Sequence, residues 1–254
     1  MTRSIRTAIV LALLTVGTAR ADVVVPNSSA GVEGDGTFSL TTTAVAGRTY
    51  QLSIAANQLT GLVGQQINGV QWRLNGPGAA AWPPADANYA SFDIFVGPGV
   101  APGSASTTFA SNFTSTSTQV RSGALTIPAG SYTFGTSPNA FGPTLNFSAP
   151  YLYSGGDLTL ELRMAQQTGA ATQSPFDAMA SANGPGNGWG VDFSARFAAG
   201  STATTVTTPN ANALVTNFIT TAVPEPTTVA LVSLSLGGAA TWKLARRRRQ
   251  QRRR

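Results

Sequence analysis

The chain has 254 residues, a formal net charge of +6, and neither cysteine nor histidine. Disulfides, thiolate nucleophiles, imidazole bases and Cys/His zinc sites are therefore excluded. The positive charge belongs to the two ends. Between Asp22 and Ala222 five arginines stand against nine carboxylates, a net charge of −4, so the pI of 10.5 does not imply nucleic-acid binding.

Arg3 and Arg6 precede an apolar stretch from Ala8 to Val16, and Ala19-Arg20-Ala21 closes it with a small-x-small pattern. This is the composition of a secretory signal peptide over residues 1–21, removed by signal peptidase between Ala21 and Asp22. An exported domain then covers residues 22–222.

Period-two alternation dominates that domain. In chain order it predicts strands at Thr37 to Thr43 and Tyr50 to Ala55. Val70, Trp72 and Leu74 then alternate with Gln71, Arg73 and Asn75. Further strands are predicted at Ser91 to Val96, Ala124 to Ile127, Tyr132 to Phe134 and Thr144 to Phe147. The clearest runs from Asp157 to Met164, with Leu158, Leu160, Leu162 and Met164 on one face and Asp157, Thr159, Glu161 and Arg163 on the solvated other. Trp189, Val191, Phe193, Ala195 and Phe197 alternate again, and Leu214 to Ile219 closes the series. Asn57 to Gln66 reads as a short helix or a loop, and Ala198 to Asn212 as a long loop. Turn residues punctuate the strands, among them Asn75-Gly76-Pro77-Gly78, Gly97-Pro98-Gly99, Ser154-Gly155-Gly156 and Asn183 to Gly188. Some ten short strands with one apolar face each predict an all-β fold, an antiparallel two-sheet sandwich with jelly-roll connectivity.

Without His or Cys, catalysis would need paired carboxylates. Asp157 and Glu161 share a strand face but stand roughly 13 Å apart, whereas glycosidase carboxylates lie roughly 5–9.5 Å apart. A cross-strand pair involving Asp93 or Asp192 stays open. Calcium could take oxygens from Asp157 beside Gly155-Gly156, or from Asp86 near Asn88, but no EF-hand or acidic nonapeptide repeat is present, and turn capping accounts for both. No cofactor is expected. Trp82, Tyr89 and Tyr151 lie in loops or before a turn and are the candidate sugar-stacking residues, while Trp72 and Trp189 sit in alternating patterns and read as core. Asn27, Asn112 and Asn146 each open a glycosylation sequon, a frequent pattern in so Asn-, Ser- and Thr-rich a chain.

Residues 223–254 form a separate tail. Val223-Pro224-Glu225-Pro226 is followed by an apolar run from Thr227 to Leu244, whose single charge is Lys243, and then by seven arginines. As a helix, residues 227–244 would extend roughly 27 Å, close to the hydrocarbon thickness of a bilayer. Trp242 and Lys243 suit an interface, and the arginines hold that end in the cytoplasm. The two prolines lack amide hydrogens and keep the tripeptide extended and outside the helix.

This tail resembles the PEP-CTERM sorting domain of exported Gram-negative bacterial proteins. The resemblance implies that Pro224, Glu225 and Pro226 are recognised as substrate by an exosortase-type transpeptidase. It implies export through the inner membrane, transient anchoring there, and release to the cell surface or extracellular matrix. Pro150-Tyr151-Leu152-Tyr153-Ser154-Gly155-Gly156-Asp157 and the following alternating strand, with Ala30 to Gly34, are also similar to sandwich domains that precede such tails, a likeness that bears on fold alone. The expected role is non-catalytic, structural or adhesive, in association with exopolysaccharide. The alternative is a carbohydrate-active enzyme or sugar-binding module using a carboxylate pair on the sandwich.

Overall fold

The computed structural model describes residues 22–41, 43–76 and 80–222. The expected signal peptide with its expected cleavage residues Ala19 and Ala21, the Pro224-Glu225-Pro226 tripeptide and the apolar segment 227–244 lie outside the described residues. Among the described residues no helix is long and apolar enough to cross a membrane.

The strands, in chain order, are β1 (Val23–Val25), β2 (Gly36–Phe38), β3 (Arg48–Ile54), β4 (Gln65–Gln71), β5 (Ala87–Tyr89), β6 (Phe92–Pro98), β7 (Thr118–Arg121) and β8 (Leu125–Ile127). They continue with β9 (Leu145–Leu152), β10 (Leu158–Met164), β11 (Gln167–Thr168), β12 (Phe176–Met179), β13 (Phe193–Ala199), β14 (Thr208–Ala211), β15 (Ala213–Leu214) and β16 (Thr216–Ala222). Helical structure among the described residues is limited to short 3-10 turns such as Ala56–Leu62 and Phe109–Asn112.

The fold is all-β and its strand ladders are antiparallel, as in a β-sandwich. A six-stranded sheet has the order β14-β13-β3-β10-β6-β7 and a four-stranded sheet the order β1-β16-β4-β9. Two small sheets, β11-β5-β8 and β15-β12-β2, complete the body. Inward side chains of both large sheets belong to one continuous core: Leu52, Leu160, Leu162 and Val96 from the six-stranded sheet, and Ile67, Val70 and Phe218 from the four-stranded one. Trp72, Trp82, Tyr132 and Phe176 pack as an aromatic group within it.

Period two correctly located the leucine face of β10: Leu158, Leu160 and Leu162 are all at most 1% exposed. The opposite face departs from expectation. Thr159 and Glu161 are 0% and 3% exposed, not solvated. The reason is a cover contributed by the connection between β6 and β7. These strands are neighbours, yet residues 99–117 do not turn directly between them. They cross the outer face of the sheet to β13 and the segment leading into β14, where Ser194 Oγ donates to the Pro102 carbonyl (2.8 Å) and the Val206 amide to the Thr107 carbonyl (2.8 Å).

Further differences are local: Tyr132, expected in a strand with Phe134, makes only an isolated bridge to Trp82. Trp189 to Asp192 is a turn, held by glycines with positive φ at 188 and 190, so β13 begins at Phe193 and Val191 is exposed. The loop expected over 198–212 instead contains β14, an edge strand paired with β13.

Candidate functional site

Strand register places a polar row across the outer face of the large sheet: Arg196 (β13), Gln51 (β3), Glu161 (β10) and Phe95 (β6) lie side by side. The neighbouring row is Ser194, Ser53, Thr159 and Gly97. A polar face can be buried only if its hydrogen bonds are supplied from above, and the 99–117 crossing supplies most of them. Asn112 is the centre of this arrangement. Its Nδ2 donates to Gln51 Oε1 (2.7 Å) and to the Ser106 carbonyl (3.0 Å), while its Oδ1 accepts from the Ser106 amide (2.6 Å). Its main-chain carbonyl accepts from Thr159 Oγ1 at 2.9 Å. Gln51 Nε2 in turn donates to the Phe109 carbonyl (3.0 Å) and to Glu161 Oε2 (2.8 Å).

Arg196 is buried at the far end of the row. It donates to the Ser106 carbonyl and to Ser194 Oγ, both at 2.8 Å, and among the described residues no carboxylate pairs with it. Burial lowers its guanidinium to about 10, against a smaller opposing influence of Tyr50.

At the β6 end of the row the cover stops short and leaves an open cleft of about 460 Å³. Glu161 and Arg163 form its polar end, Phe95 and Phe113 its apolar walls, and Ser115, Thr116 and Ser117 part of its rim. Arg163 Nε donates to Glu161 Oε1 at 2.6 Å, and the Arg163 guanidinium carbon lies 5.7 Å from the Phe95 ring centre. The Glu161 side chain is 4% exposed and that of Arg163 28%. The carboxylate is thus held by Gln51 and by Arg163, and is nearly buried where it borders the cleft.

The remaining carboxylates do not join this site. Asp93 is directly across from Arg163 in register, but it does not line the cleft, and its Oδ1 accepts from the Gly123 amide at 3.0 Å. Asp192 accepts from Asn57 at 2.7 Å. Asp157 and Asp86, considered for calcium, accept from the Ala56 and Ala129 amides, each at 2.8 Å. Among the described residues no group of three or more acidic side chains converges.

The aromatic candidates are placed differently from their loop reading. Trp82 is 4% exposed and Tyr89 2%. Trp82 is bridged antiparallel to Tyr132 and meets Phe176 edge to face, while Tyr89 is a strand residue in β5 packed on Phe92. Neither presents an open ring face, although the edge of Trp82 borders a shallow, mostly apolar groove of about 290 Å³ with Phe134 and Pro175. Tyr151 is half-buried on β9. Asn112, the middle sequon, is fully buried in the network above and cannot accept a glycan.

Glu161, Arg163, Phe95 and Phe113 were not singled out together by sequence. The one available signal was that Glu161 and Arg163 share a strand face, and it gave no indication that residues 99–117 would build a cleft around them. Comparison of the chain with protein-family models, curated proteins and solved structures finds no match.

Proposed function

We propose that this is an exported, non-catalytic surface or extracellular-matrix protein, sorted through its C-terminal tail. In this reading its sandwich, in jelly-roll arrangement, acts structurally or adhesively in association with exopolysaccharide. The observation that carries the reading is the direct succession of Pro224-Glu225-Pro226, the membrane-length apolar run 227–244 and the terminal arginines. An outward-facing membrane enzyme could reach the tripeptide between a folded body and a transmembrane helix, and Glu225 offers it a lone charge for a basic pocket.

The placement of the body's ends supports this. β1 pairs antiparallel with β16, Val23 opposite Phe218, so Asp22 and Ala222 emerge at the same end of the four-stranded sheet. A chain that enters export at one end and is anchored at the other can then hang from a single membrane face. The cleft lining contains one carboxylate, already paired with a guanidinium, which favours binding over two-carboxylate hydrolysis.

Mass spectrometry of the mature protein from a host that has the sorting enzyme should find an N-terminus near Asp22 and a C-terminus within a few residues of Pro224 to Pro226. Glu225→Ala should yield an uncleaved, membrane-retained form with normal signal-peptide removal. Recovery of wild-type protein ending at Arg254 would overturn the sorting reading.

A further inference from the structure

We infer that the cleft at Glu161 and Arg163 binds a short stretch of neutral saccharide, one or two sugar residues of a chain. The inference rests on the proposed extracellular role only for where the ligand is met; the chemistry is argued from the cleft. Its volume of about 460 Å³ is within the range of about 300–1,000 Å³ common to small-ligand sites. Phe95 and Phe113 are partly buried and form the apolar part of its lining, a surface to which pyranose rings can present their flat C–H face.

The polar end is matched to hydroxyls. Glu161 accepts one hydrogen bond on each oxygen, from Gln51 and from Arg163, leaving a further lone pair on each. Arg163 uses its Nε on Glu161, and its two terminal nitrogens make no hydrogen bond among the described residues. Acceptor and donor thus stand side by side at the cleft, the pattern that a pair of vicinal hydroxyls can satisfy at once. The one cation lining the cleft, Arg163, is already paired with Glu161, and the exported body carries a net charge of −4, so an added carboxylate would meet the Glu161 charge along with the guanidinium. That selects a neutral sugar over a uronate.

The site is also preorganised. Gln51 is held by Asn112 and by the Phe109 carbonyl, so the Glu161 carboxylate does not have to be ordered when ligand arrives. A structural ion pair would need no open cleft, no aromatic lining beside it and no guanidinium with uncommitted donors.

The test is calorimetric titration of the full-length protein, held in a detergent without a sugar headgroup. The probes are neutral trisaccharides of glucose, galactose, mannose and xylose, with trigalacturonate as the anionic comparison. At least one neutral trisaccharide should bind saturably and more tightly than trigalacturonate. Thr116→Trp, a substitution at an exposed rim position, should fill the cleft and abolish binding. Arg163→Lys, which keeps the charge but loses the planar fork, should weaken binding about tenfold. Both variants should keep the wild-type melting temperature. Absence of binding by all four neutral sugars, tighter binding of trigalacturonate, or binding that survives Thr116→Trp would each overturn the inference. None of these measurements involves tail processing, so the sorting proposal and the cleft stand or fall separately.

Discussion

Leu160 and Glu161 are neighbours on β10 and both are buried, for opposite reasons. Leu160 removes apolar surface from water in the main core, and truncation to Ala should cost about 2–5 kcal/mol, read as a shift of the urea unfolding midpoint. Glu161 is buried because Gln51 and Arg163 replace its water. A harsher case is the Arg73–Asp177 pair, with side chains 1% and 0% exposed and an Nε–Oδ2 separation of 2.7 Å. Arg73 also donates to the Ser29 and Val32 carbonyls, and Asp177 accepts from the Gly34 amide. Burial nevertheless pushes the Asp177 carboxyl above its ordinary value, against the pull of Arg73. Asp177→Ala strands a guanidinium in the interior and should cost about 3–5 kcal/mol, measurable by the same unfolding assay.

Asp35 behaves in the reverse sense. Burial raises its carboxyl, but hydrogen bonds from the Ala180 amide and from Asn183 and Asn187 outweigh that and hold it below its ordinary value. Its stabilising contribution is therefore present above the unfolded-state value of about 3.9 and is lost as pH falls through the lower folded value. The group is exposed, so the effect should be small. The difference in melting temperature between wild type and Asp35→Asn should be present at about pH 6 and shrink as the pH is lowered below about 4; a difference independent of pH would refute the assignment.

At the scale of elements, the 99–117 crossing converts one sheet face into a second, polar interior. Phe109 is fully buried yet belongs to no part of the main core, and it packs beneath the cover while its carbonyl holds Gln51. Close approach at the start of the crossing requires glycine: a β-carbon at Gly99 would lie 2.8 Å from the Leu158 carbonyl carbon, and one at Gly97 would meet the Phe113 ring at 3.0 Å. Gly99→Ala should therefore destabilise by about 1–3 kcal/mol. It should also raise proteolytic sensitivity within residues 99–117 more than elsewhere, which limited digestion followed by mass spectrometry would report. The turn between β9 and β10 was well placed by turn chemistry. Gly155 and Gly156 have φ of +113° and +88° at the junction of β9 and β10, where a glycine pair was expected to turn the chain.

On the scale of the whole molecule, the charge asymmetry separates body from tail. Deleting residues 246–254 removes seven arginines and leaves every core residue among the described residues in place. Unfolding of the body should be unchanged, while membrane retention or orientation in the native host should be impaired, as fractionation would reveal. A loss of body stability on this deletion would contradict the division into an independent body and a tail.

Composition and period two were sufficient to read the all-β class, the leucine face of β10 and most of the strands of the large sheet, because alternation records which face of a strand meets the core. β5 and β12 escaped notice: Ala87–Tyr89 is only three residues long, and Phe176–Met179 is buried throughout and shows no alternation. Trp82 and Tyr89 were read as exposed because Pro83-Pro84 and short flanks suggested a loop. Their burial depends on partners such as Tyr132 and Gln167, far along the chain. The cleft was decided by tertiary structure alone. Whether Glu161 faces water is determined by residues 99–117, about fifty positions earlier, and a local pattern contains no term for what is laid over it.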